Sequence, residues 1–323
     1  MTQTTKAKQA PQTEHAPHSH DAHCAPAASG IYVISPSSAV ADPTALERAK
    51  SRLTLMGFKV VFDRGVLNVE QRFAGTDAQR LAGFSRALKQ KLPIVMASRG
   101  GYGIGRLLPH LDWPAFERAG KRFVGQSDFT AFNLALLAKT GMISYAGPTA
   151  CFDFGAKKPE LLTEEPFGEC MRGELEILSF ETQDADAFDG RGILWGGNLA
   201  MVTSLLGTPY MPKIKGGILF VEDVGEHPYR IERMLNQLAQ AGILGKQKAL
   251  ILGGFTEYRL AEHDRGYDLK AAIAFIRKSV GIPVMTGLPF GHTALKATLP
   301  IGAKVGVATE KGLVHLVLDE HSH

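Results

Sequence analysis

The sequence lacks any apolar run of roughly 18 residues or more, so it offers no candidate membrane span. Its N-terminus lacks the apolar core of a signal peptide, and a cytoplasmic location follows by default. An excess of one charge is lacking too. The 36 Lys and Arg are interspersed with 32 Asp and Glu along most of the chain, which argues against a nucleic-acid-binding stripe. Cysteine is scarce: Cys24, Cys151 and Cys170 show no paired spacing, so reduced thiols are expected.

What is there describes a globular protein. The 323 residues have a mean hydropathy of −0.03 and a charged fraction of 21%, and the chain is long enough for two domains with large cores. Residues 1–30 are poor in large apolar side chains and rich in Ala, Pro, Gln, Thr and His. Such a segment cannot bury enough surface to offset its ordering entropy and reads as a disordered tail. Its His15, His18, His20, His23 and Cys24 are residues that could chelate a transition metal, with a flexible tail of adventitious affinity as the expected reading.

From Ile31 onward, strand and helix patterns alternate. Ile31–Ile34 is a short apolar run. A helix follows with Asp42 as its cap, Pro43 at its first position and Gly57 beyond its end. Strands are expected at 58–62, 92–97, 122–124 and 142–146, with helices at 77–90, 112–119 and 129–139 between them. This rhythm predicts an α/β fold with a mostly parallel sheet flanked by helices in an N-terminal domain, residues 31–150. Residues 151–190 are less regular and read as a connection. A second domain, 191–323, carries strands at 217–221, 249–252 and 282–285 and helices at 228–240 and 269–279. Short antiparallel strands after Ala297 complete a mixed sheet.

Several reactive residues follow predicted strands. Ser127, in Gly125-Gln126-Ser127-Asp128-Phe129-Thr130, lies at a tight strand-to-helix turn that exposes its Oγ and aims the next amide where an oxyanion would form. Phe129 stands where a full G-x-S-x-G pattern needs glycine, and a serine merely capping a helix gives the same local sequence. Arg99-Gly100-Gly101-Tyr102-Gly103-Ile104-Gly105-Arg106 is no dinucleotide fingerprint, since its glycines run G-x-G-x-G. It fits a loop that lends a backbone amide to an oxyanion hole, or a purely structural turn. Glu222 closes an apolar strand, where a carboxylate needs a partner unless it belongs to a solvated acidic cluster with Asp223 and Glu226. His292 follows the 282–285 strand, whereas His315 sits inside a strand pattern and His110 and His263 read as surface groups. Open α/β sheets bind ligands beyond the carboxyl ends of their strands, and Ser…Glu…His is a known chain order for a triad.

The chain resembles the LD-carboxypeptidases, serine peptidases that trim murein peptides. The resemblance runs from about Ile31 to Val317. It is carried by Arg72–Thr76, Ser98–Gly103, Gly125–Thr130, Leu194–Ala200, Gly207–Pro212, Glu222–Arg230 and Gly287–His292. The resemblance implies Ser127 as nucleophile, His292 as base and Glu222 as the group that orients it. It further implies an oxyanion hole from the amides of Asp128 and Gly101, a cleft between two domains and a homodimer. Arg99, Tyr102 and Asn198 are candidate substrate contacts, with Asn198 in a Trp195–Asn198 turn. Arg99, Arg106 and Arg230 are candidates for a terminal carboxylate, Arg230 being the one better suited to an ion pair. No metal or other cofactor is implied, nor any membrane or nucleic-acid partner. Members often carry His where this chain has Gln126. The implied reaction is release of terminal D-alanine from murein tetrapeptides in peptidoglycan recycling. A related branch hydrolyses microcin C-type aminoacyl nucleotides and confers immunity. A non-catalytic peptide-binding protein on the same scaffold and a hydrolase built on Cys151 are the readings from other classes.

Overall fold

The computed structural model describes residues 30–158 and 160–318. The His-rich segment with His15, His18, His20, His23 and Cys24 lies outside the described residues. Among the described residues no helix is long and apolar enough to cross a membrane.

The first half runs β1 (Gly30–Ile34), α1 (Pro43–Leu55), β2 (Lys59–Phe62), α2 (Asp77–Lys89), β3 (Ile94–Ala97), α3 (Trp113–Ala119), β4 (Arg122–Gly125), α4 (Phe129–Thr140) and β5 (Ser144–Ala146). Local chemistry sets these boundaries. Asp42 accepts from the amide of Thr44 ahead of Pro43, and Thr76 and Gln79 form a reciprocal capping box at the start of α2. Strands β1 and β3 are buried along their whole length, as parallel strands covered on both faces must be.

The second half runs α5 (Leu161–Arg172), β6 (Ile177–Glu181), β7 (Asp189–Asn198), α6 (Leu199–Ser204), β8 (Ile218–Val224), α7 (Pro228–Gln240), β9 (Ala249–Thr256), α8 (Leu269–Val280) and β10 (Val284–Thr286). Strands β11 (Leu299–Ile301), β12 (Lys304–Glu310) and β13 (Leu313–Leu318) follow. Two sheets result, with strand orders β11-β5-β4-β3-β1-β2 and β10-β9-β8-β7-β12-β13-β6. In the first sheet β1 to β5 are parallel and β11 is antiparallel to β5. In the second, β7 to β10 are parallel while β12, β13 and β6 pair antiparallel. The expected α/β architecture, parallel in the first sheet and mixed in the second, is present.

Three local expectations give way. The stretch 151–190 holds a π-helical turn (Ala150–Phe154), α5, β6 and the start of β7 rather than an irregular connection. Pro166 and Gly168 inside α5 are helix breakers in isolation, and burial of Phe167 and Met171 helps to hold the helix together. The supposed Trp195–Asn198 turn is the end of β7, at the centre of the second sheet. Gly196 and Gly197 resemble a turn signal, yet they serve close approach: a Cβ on Gly196 would collide with the Phe220 carbonyl, and one on Gly197 would lie 2.5 Å from Thr130 Oγ1. Finally, β11 leaves its chain neighbours to edge the first sheet.

Helix α4 explains how the halves join. It is apolar on every side, with Phe129 to Leu136 all buried, as befits a helix enclosed on all faces. One hydrophobic core runs from Phe84, Phe123 and Phe132 through Trp195 to Phe220 and Phe290, with α4 between the sheets. A second core lies under α1 and α5. Ser127, just ahead of α4, is thereby delivered to the junction between the sheets.

Candidate active site

Ser127 sits on the turn between β4 and α4, closed by Phe129 N–H to the Gln126 carbonyl (3.2 Å) and Thr130 N–H to the Ser127 carbonyl (2.9 Å). Its φ is +61°, a left-handed conformation that costs a non-glycine residue on the order of 1–3 kcal/mol. The Gly-rich loop presses against it: a Cβ on Gly100 would lie 2.6 Å from Ser127 Cβ and 2.8 Å from its Oγ. Asp128 turns its carboxylate away, accepting from Ser37 Oγ (2.8 Å) and the Ile104 amide (2.9 Å). It thus ties the loops after β1 and β3 to the turn after β4, and burial pushes its carboxyl up. Among the described residues, no turn or loop hydrogen bond uses the amides of Gly101 or Asp128.

From the second sheet, Glu222 lies where the β8–β9 register shifts between Val221 and Asp223. Such an irregularity re-aims a side chain. Glu222 is fully buried, and its Oε2 accepts from His292 Nδ1 at 2.8 Å. Asn198 Nδ2 donates to Glu222 Oε1 (3.3 Å) and to Asp223 Oδ1 (2.9 Å). Asp223 also accepts from the amides of Ala200 and Val224, and burial pushes its carboxyl up to about 6. On the far side of the histidine loop, Gln126 Nε2 donates to the Gly291 carbonyl at 3.2 Å.

Ser127 and His292 line one cavity of about 370 Å³, with Arg99, Gly100, Gly101 and Gln126. Arg99 Nη1 donates to the Ala39 carbonyl (3.2 Å). Two other cations, Arg48 of α1 and Lys157 from the segment after the π-helical turn, also line this cavity, as do Cys151 and Phe152 of that turn; nothing local in the sequence marks the two cations as site residues. The remaining candidates lie elsewhere. Tyr102 is outside the cavity, its ring 6.0 Å from Phe73. Asn198 is spent on the two carboxylates. Arg106 pairs with Asp77 (2.8 Å) and Arg230 with Glu226 (3.6 Å). His315 lies in β13 and bonds Ser179, while His110 and His263 are exposed. Among the described residues, no group of three or more His, Cys, Asp or Glu is placed to hold a metal.

Comparison with known proteins bears on this geometry. Residues 31–147 match the family model of the LD-carboxypeptidase N-terminal domain, and residues 191–307 that of its C-terminal domain. A putative carboxypeptidase of Synechocystis is 34% identical over 288 residues, covering 87% of this chain and 92% of that protein. A probable murein peptide carboxypeptidase of Bacillus subtilis is 31% identical over 86% of this chain and 88% of its own length. The crystal structure of a muramoyltetrapeptide carboxypeptidase from Oxalobacter formigenes superposes with a TM-score of 0.84 at 43% identity, covering 90% of this chain and 99% of that one. The Escherichia coli microcin C7 self-immunity protein is 29% identical over 84% of this chain and 88% of its own. With both domains matched in order, and with relatives spanning most of its length, this chain belongs to the LD-carboxypeptidase family and is a peptidase.

Proposed function

We propose that the chain is a serine-type carboxypeptidase that releases terminal D-alanine from murein tetrapeptides, with Ser127, His292 and Glu222 as its triad. The observation that carries this reading is the 2.8 Å contact of His292 Nδ1 with buried Glu222, at a cavity that Ser127 also lines. With Nδ1 donating to the carboxylate, Nε2 is left free to accept a proton. Ser127 Oγ attacks the carbonyl carbon of the L-configured centre and its proton passes to His292 Nε2. The oxyanion is held by the amides of Asp128 and Gly101. The C–N bond then breaks, His292 returns the proton to the departing D-alanine nitrogen, and water hydrolyses the acyl-enzyme by the same route.

An exopeptidase must also recognise a free carboxylate. Arg99 and Lys157 bring positive charge to the cavity wall, where Arg48 is already paired with Asp42 (2.9 Å), and an arginine is suited to grip a carboxylate with two parallel hydrogen bonds. The peptidoglycan-recycling role and a homodimer belong to the same proposal and rest on the family resemblance; a cytoplasmic location, the expectation from the sequence, goes with them.

The test is D-alanine release from L-Ala-γ-D-Glu-diaminopimelate-D-Ala by wild type and Ser127→Ala. Release by wild type, with a loss of at least ~10³-fold in the variant, is expected for removal of a triad nucleophile. Equal release by both would refute Ser127. No release by wild type, with hydrolysis of an aminoacyl-sulfamoyl adenosine instead, would move the assignment to the microcin-type branch.

A further inference from the structure

The loop that carries His292 has no regular structure of its own. Between β10 and β11, residues 287–298 form neither helix nor strand. Backbone bonds close the loop at its base, from Ala297 N–H to the Pro289 carbonyl (2.6 Å), and tie the Phe290 carbonyl to Gly254 N–H of β9 (2.8 Å), but among the described residues the tip, 291–296, makes no backbone–backbone hydrogen bond. Side chains from segments that precede the second sheet hold it at three points. Gln126 grips the Gly291 carbonyl, as described above. Thr163, in α5, accepts from the Lys296 amide (2.8 Å) through its Oγ1 and donates to the Ala294 carbonyl (3.0 Å). The third point is an ion pair: Lys296 Nζ lies 2.6 Å from Asp153 Oδ1, with side-chain exposures of 0% and 2%.

This pair is expensive to bury. A lysine and an aspartate taken wholly out of water lose their hydration, and a neutral pair of similar volume is often no less stable. Fixing register is the best-attested use of such a pair, and here there is a register to fix. Lys296 stands four residues after His292. Asp153 belongs to the π-helical turn whose neighbours Cys151 and Phe152 line the cavity. Its second oxygen accepts from the Thr149 amide (2.7 Å), and Thr149 is also in the cavity wall. Lys296 Nζ further sits 4.7 Å from the centre of the Phe152 ring. Asp153 and Lys296 themselves do not line the cavity.

We propose that Lys296 and Asp153, with Thr163, are positioning residues for His292: their buried contacts lock the loop bearing the base to the wall that faces the nucleophile. Glu222, from the second sheet, sets the tautomer and tilt of the imidazole. The clamp, anchored on the π-helical turn and α5, sets where that imidazole stands relative to Ser127. The proposal rests on the triad reading above.

The test is the double variant Lys296→Met/Asp153→Asn, which leaves no unpaired buried charge and keeps an acceptor for the Thr149 amide. It is expected to melt within a few degrees of wild type, with kcat for D-alanine release at least ~10-fold lower and KM within about twofold. Thr163→Val, which keeps the side-chain volume and the ion pair, is expected to lower kcat at least ~3-fold with the same unchanged KM. The same proteins are treated with a fluorophosphonate, in which Ser127 Oγ bonds phosphorus, fluoride leaves and His292 takes the proton, so that no peptide is involved. Slower labelling of both variants supports the clamp even if the peptide proves not to be the substrate. Wild-type kcat and wild-type labelling in the folded variants would overturn it.

Discussion

His292 Nδ1 reaches Glu222 Oε2 across 2.8 Å, although 70 positions separate the two residues and the glutamate is wholly buried. A buried carboxylate without a partner is costly to keep charged, so the imidazole and the Asn198 amide at 3.3 Å account for its place in the core. Glu222→Gln preserves the shape but removes the charge that supports an imidazolium. We expect kcat to fall by about 10³-fold or more, with KM changed little. Steady-state kinetics on the tetrapeptide check this, and a loss below tenfold would show that Glu222 is only structural.

Gly100 is expected to be intolerant of a methyl group. The added Cβ of Gly100→Ala would stand 2.6 Å from Ser127 Cβ, so the nucleophile or the loop must move. A displacement of about 1 Å at a reacting atom costs on the order of 10²-fold in rate. Overpacking costs about 1–3 kcal/mol of stability. Kinetics and a melting curve on the same preparation should show a large loss of kcat with a modest fall in Tm.

Asp223 ties stability to pH. Burial raises its carboxyl from 3.8 to about 6, so between those values the folded state binds more protons than the unfolded one. Its contribution is therefore fully present below about pH 4 and is lost as pH rises through 6, by roughly 3 kcal/mol in all. Urea midpoints from pH 4 to 7 should fall more steeply for wild type than for Asp223→Asn. Parallel slopes would remove Asp223 as the cause.

Cys151 lines the cavity, yet its thiol is a poor nucleophile. Burial pushes it up to about 11, and Cys170 to about 12, which leaves almost no thiolate at neutral pH. Iodoacetamide at pH 7.5 should leave the native enzyme active and both thiols unmodified by peptide mass spectrometry, with rapid alkylation in urea. Inactivation with Cys151 labelled would revive a thiol-based mechanism.

Features that depend on local pattern can be read from the residues alone. Apolar runs such as Ile31–Ile34, and the helix marked by Asp42 and Pro43, specify which faces are buried and where elements begin, and their alternation is enough to reach a parallel α/β sheet. Ser127, Glu222 and His292 were legible as candidates because each follows or ends a strand, where such sheets place ligands. Tertiary structure decided the rest, since contacts distant in the chain leave no local trace. Pro166 and Gly168 conceal α5 until Phe167 and Met171 find their core. The glycines of β7 pass for a turn until the Phe220 carbonyl and Thr130 close in on them. Only folding puts Arg48 and Arg99 around one cavity, turns Asn198 onto two carboxylates and Tyr102 out of the cavity, and brings Lys296 to an aspartate 143 residues away. Burial makes that last pair costly, and no periodicity encodes which partner compensates it.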